Sequence, residues 1–186
     1  MAFLYNKITR KITLLLILFW SIVSFYFIDR LVADKVLITT VGLIAFLFII
    51  FELAPLFIVI ILSFTVSFAL YGFLFTFNLP VWLLMIAILI LFGYLFLYME
   101  QKTGILGNKR LIYLLLFSIL ILEVFLALSY FIINPLSKSL IISAVTYIFI
   151  GFCYTVLAKH KDNSFSTYLY FFVFSLILIM IVSIAR

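Results

Sequence analysis

Apolar runs of about twenty residues follow one another along this whole chain, with only short polar breaks between them. That pattern constrains the fold more than any other feature. A helix of such a run crosses a hydrocarbon layer of ~30 Å. Inside lipid every backbone N–H and C=O needs a partner within the protein, which leaves helices or closed barrels. A barrel would alternate apolar and polar residues over segments of ~10 residues. That alternation is absent, so the fold class expected is all-α, a polytopic bundle of transmembrane helices.

Seven spans are expected: 12–28, 36–53, 56–77, 81–99, 111–133, 140–158 and 168–185. They hold 136 of the 186 residues, which leaves too few for any domain outside the membrane. The chain therefore reads as a single integral membrane domain, 1–186. Composition agrees: 69% of residues are hydrophobic and 10% charged, against about a quarter charged in soluble domains. The run after Lys7, Arg10 and Lys11 exceeds the 7–15 residues of a signal-peptide core. No small-x-small cleavage site follows it, because Leu31 precedes Val32 and Ala33, and so it reads as a retained first span.

Turn chemistry places the reversals. Asn78-Leu79-Pro80 and Asn134-Pro135 combine residues that end helices and redirect the chain. Between Val36 and Phe77 the apolar stretch is broken only at Glu52-Leu53-Ala54-Pro55. A straight helix of that length would be about twice as long as the hydrocarbon layer is thick. Two spans with a tight turn follow.

Basic residues orient the bundle. With the N-terminus inside, the inner segments hold eight (Lys7, Arg10, Lys11, Lys102, Lys109, Arg110, Lys159, Lys161), and the outer segments hold four (Arg30, Lys35, Lys138, Arg186). That imbalance predicts a cytoplasmic N-terminus and an external C-terminus in a plasma membrane. It also accounts for the net charge of +6 without nucleic acid as a partner. Tyr98, Tyr113, Tyr154 and Tyr168 are expected at the inner boundary, and Tyr26, Trp82 and Tyr130 at the outer one.

Glu123 is the strongest single signal, a carboxyl near the middle of the fifth span. Such a group costs ~2.5–3.5 kcal/mol to insert, and it usually faces the protein interior. No lysine or arginine is expected at its depth. Three roles follow: a proton or cation site with Thr65, Ser67, Thr146 and Tyr147 as polar neighbours; a neutral acid acting as interhelical glue; or a partner for a basic residue on another subunit. Ser63-x-x-x-Ser67 and Ser139-x-x-x-Ser143 place small residues on one helix face, the spacing that permits close helix approach. Glu52 reads as an interfacial carboxylate in a turn. Asp29, Arg30, Asp34 and Lys35 read as a locally paired loop.

Chemistry that needs other residues is excluded. No H-E-x-x-H or G-x-S-x-G motif occurs, and the lone histidine rules out a multi-histidine metal site. Cys153 has no second cysteine for a disulfide. It stands about 10 Å of helical rise from His160, too far for a thiol–imidazole couple. A retinal Schiff base would need a lysine in the span 168–185, which has none. No cofactor is expected. What remains is a non-catalytic membrane subunit, scaffold or assembly component, in contact with lipid and with other membrane subunits or a second copy. The alternative is a small proton- or ion-coupled transporter or channel-like protein using Glu123.

Overall fold

In the computed structural model the described residues are 2–27, 39–40, 42–44, 47, 55–103 and 110–157. Five long helices are described: α1 (Ala2–Tyr26), α2 (Pro55–Phe77), α3 (Val81–Thr103), α4 (Arg110–Tyr130) and α5 (Pro135–Leu157). The protein is all-helical among the described residues, with no strand. Four of the helices are long and apolar enough to cross a membrane, and Lys11–Tyr26 of α1 is a shorter apolar stretch. Apart from short helical pieces at 39–40, 42–44 and 47, the expected span 36–53 lies outside the described residues, as does 168–185.

Prolines and asparagines set the helix boundaries. Both α2 and α5 begin on a proline, which has no N–H to leave unsatisfied at the first helical position. Asn134 caps α5 by accepting the Leu136 N–H on its Oδ1 at 3.1 Å. At the other end of α2, Asn78 takes a left-handed backbone (φ 49°), the conformation that closes a helix C-terminus. Pro80 then opens α3, its carbonyl accepting from Leu83 N at 3.0 Å.

The boundaries differ from the sequence expectation in one consequential place. The fifth described helix begins at Pro135, five residues before the expected 140, so Ser137, Lys138 and Ser139 are helical and not loop. The Asn134-Pro135 pair that marks a reversal also satisfies the rule for a helix start. At its C-terminal end, α3 runs on through Glu100, Gln101 and Lys102 beyond the expected 99.

Helices α2, α3, α4 and α5 close into a ring in chain order, with α2 meeting α5 across the most extensive contact. Helix α1 packs on the outer side of α2. The centre of the ring is aromatic. Phe117 lies 5.3 Å from Phe96 and 5.2 Å from Phe149, and Tyr71 stacks on Phe125 at 4.7 Å. Burial of such rings and their offset packing hold the interior together. Phe27, just past the end of α1, joins Phe64, Phe68, Leu136 and Leu140 in a second apolar cluster with α2 and α5. At the opposite end Arg110 Nε stands 3.5 Å from Glu100 Oε2, fastening α4 to α3.

Candidate functional site

The structure turns Glu123 outward. Helix α4 buries Phe117, Ile121, Phe125 and Leu128. At 100° per residue Glu123 stands roughly 150° from the centre of that face, and it is exposed. Leu116, Ile119, Ala127 and Tyr130 share its exposed side. The expectation that an intramembrane carboxyl faces the interior does not hold here, because the aromatic anchors of α4 outweigh one carboxyl in setting how the helix is rotated.

The polar residues grouped with Glu123 on the grounds of depth lie elsewhere. Thr65 and Ser67 are buried on α2 and Thr146 on α5, while Tyr147 is half-buried on α5. The hydroxyls of Thr65, Ser67 and Thr146 are engaged within their own helices. Ser67 donates to Ser63 O at 2.6 Å, Thr146 to Ile142 O at 2.9 Å, and Thr65 to Ile61 O and Leu62 O at 3.2 Å each. A hydroxyl bonded back to its preceding turn is a small, satisfied surface for packing.

Ser63, Ser67, Ser139 and Ser143 are all buried, on the two helices that share the most extensive contact. Ser63 donates to Ile60 O at 2.7 Å, Ser139 to Pro135 O at 2.7 Å and Ser143 to Ser139 O at 2.9 Å. Side chains of this size, bonded back to their own turns, take little room and leave no donor unsatisfied.

Particular hydrogen bonds tie one described helix to another. Ser24 Oγ donates to Thr65 O at 2.9 Å, tying α1 to α2, and the hydroxyls of Thr13 and Tyr94 stand 2.8 Å apart between α1 and α3. Tyr71 reaches across the ring to donate to Phe125 O at 3.2 Å. Tyr98 is buried in the core, whereas Tyr26, Trp82 and Tyr130 are strongly exposed. An apolar groove of about 400 Å³ runs between α1 and the residues around 39–43, lined in part by Leu18, Ile22, Phe25 and Leu43; Glu123 does not line it.

A second polar feature went unrecognised in the sequence. Lys138, counted there among outer-loop charges, is fully buried on the first turns of α5. Its Nζ lies 4.5 Å from the Phe75 ring centroid and 5.2 Å from that of Tyr71, and it has no hydrogen-bond partner among the described residues. The early start of α5 was the signal that would have found it.

No protein-family model, curated protein or solved structure matches this chain.

Proposed function

We propose that this integral membrane protein is a non-catalytic component of a membrane assembly, joined to its partner through the exposed face of α4. The single observation that carries this reading is the outward position of Glu123, near mid-span, among exposed apolar side chains. Facing lipid, such a carboxyl costs ~2.5–3.5 kcal/mol. A partner helix offering a lysine, arginine or hydroxyl at the same depth removes that cost and fixes the register of the complex.

The ion-coupled alternative needs a polar route to Glu123. The ring interior beside α4 is filled by Phe92, Phe96, Phe117 and Phe125, which favours the component reading. An enzyme has no support from the motifs.

The test is photo-crosslinking in intact membranes, with the crosslinker at Ile119 and, as a control, at Trp82 on α3. The expected result is one discrete adduct from Ile119, lost when Glu123 is replaced by Leu, whose other component carries a basic or hydroxyl residue within a span. A doubled mass of this chain alone would make the partner a second copy. Proton or ion flux in liposomes that disappears in Glu123→Gln would overturn the component reading in favour of the carrier.

A further inference from the structure

Helix α4 carries two seams, and the bundle uses one of them. Leu114, Phe117, Ile121, Phe125 and Leu128 pack into the core. On the opposite side Ile112, Leu116, Ile119, Glu123 and Tyr130 are exposed, with Leu126 half-buried between the last two. From Ile112 to Tyr130 these six positions step by four, three, four, three and four residues. That is the a/d alternation of a heptad, the 3.5-residue period at which one helix meets another along its length. The outer seam rises about 27 Å, close to the thickness of the hydrocarbon layer. Of the four candidate spans α4 is also the least buried.

On this seam Leu116, Glu123 and Tyr130 hold the a positions, and Ile112, Ile119 and Leu126 the d positions. Glu123 is the central a residue, flanked by apolar d residues on both sides. Two copies inserted the same way in one membrane are related by a two-fold axis along its normal. A residue on that axis meets itself, at the same depth. A carboxyl that carries its hydrogen is donor and acceptor at once. Two such groups face to face satisfy one another and leave no charge in the hydrocarbon. A foreign helix has to supply a donor at this one depth, whereas a second copy supplies it by symmetry.

We propose, on the reading of the α4 face as an interface, that its occupant is a second copy of this chain. The two α4 helices pack in parallel along their outer seams, and Glu123 is opposed to its counterpart across the axis. As with other polar residues at a positions, the hydrogen-bonded pair fixes register and the number of chains. A slip of one heptad sets one carboxyl against Leu116 of the other copy, so only the aligned register satisfies both.

The experiment forms disulfides between full-length chains in membranes, in a Cys153→Ala background, with copper phenanthroline as oxidant. Single cysteines are placed on the seam (Ile119→Cys, Leu126→Cys) and at an exposed position of α1, across the ring from α4 (Ile22→Cys). The expected result is a product of doubled mass from both seam variants, well above the level that Ile22→Cys gives by collision. Adding Glu123→Leu should lower the Ile119→Cys product about threefold to tenfold, the loss of one or two interhelical hydrogen bonds. Adding Glu123→Gln should preserve it, because an amide is likewise donor and acceptor. Seam products no more abundant than that of Ile22→Cys overturn the proposal, and so does a product that Glu123→Leu leaves unchanged. The interface reading is judged separately, by the photo-adduct from Ile119. An adduct with a different protein, without the doubled-mass disulfide, keeps the interface and removes the second copy. A disulfide within one chain between Ile119→Cys and Ser175→Cys puts the expected span 168–185 on this face and overturns both.

Discussion

Tyr71 on α2 both stacks its ring on Phe125 of α4, at 4.7 Å, and donates its hydroxyl hydrogen to the Phe125 carbonyl at 3.2 Å. The two helices are not neighbours in the ring, so this pair spans its interior. The Phe125 carbonyl also accepts from Ser129 Oγ at 2.8 Å, within α4 itself. It keeps one partner if Tyr71 loses its hydroxyl.

Tyr71→Phe is therefore expected to cost little, about 0.6 kcal/mol, in the range of interhelical hydrogen bonds measured in membranes. Tyr71→Ala removes the ring as well and opens a void beside Phe125, at a cost of about 3–5 kcal/mol. Reversible unfolding in mixed detergent measures both. A Phe variant as damaged as the Ala variant would show that the hydroxyl, and not the ring, holds α2 to α4.

The buried serines of α2 and α5 make the opposite kind of prediction. Among the described residues, Ser67 and Ser143 bond only to their own helices. Replacement by Ala should change stability by less than about 0.5 kcal/mol. Replacement by Leu should cost about 1–3 kcal/mol by forcing the backbones apart. If Ser67→Ala were as harmful as Ser67→Leu, close approach would not be the role of these residues.

Gly72 gives the sharpest steric test. A Cβ at that position would stand 2.5 Å from Phe27 Cγ, while the Phe27 ring is held against Phe73 at 4.8 Å. Gly72→Ala should cost about 1–3 kcal/mol through displacement of that ring. Adding Phe27→Ala should recover much of the loss, so that the double variant is more stable than the sum of the two single effects predicts. Strict additivity in the double-mutant cycle would show that the two residues do not touch.

Asn78 tests the end of α2. Its left-handed backbone is readily adopted by Gly or Asn and disfavoured for branched side chains. Asn78→Gly should lie within about 0.5 kcal/mol of the native protein, and Asn78→Val should lose about 1–2 kcal/mol. The same unfolding transition reports both, and equal stability of the Val variant would argue against the tight α2–α3 turn.

Several features of this architecture are written locally. Pro55, Asn78, Pro80, Asn134 and Pro135 act through their own backbone preferences, so the helix ends they set can be read without knowing what packs against what. The exception, the early start of α5, came from reading Asn134-Pro135 as a turn alone when the same pair also caps a helix. The serine spacings on α2 and α5 were legible for a similar reason, since residues four apart share a helix face whatever the neighbour.

What the sequence determined by itself is that this chain is a bundle of membrane helices, because lipid leaves an apolar backbone no other way to pair its polar groups. It did not determine which way each helix faces. A soluble helix declares its buried side by an apolar stripe, but a helix apolar on almost every side carries no such mark. Only the packed structure decided that α4 turns Phe117 and Phe125 inward and Glu123 outward, and that Lys138 is enclosed. The reason is physical: rotation about the helix axis is set by how aromatic and small side chains interlock across several helices at once, and no single segment contains that information.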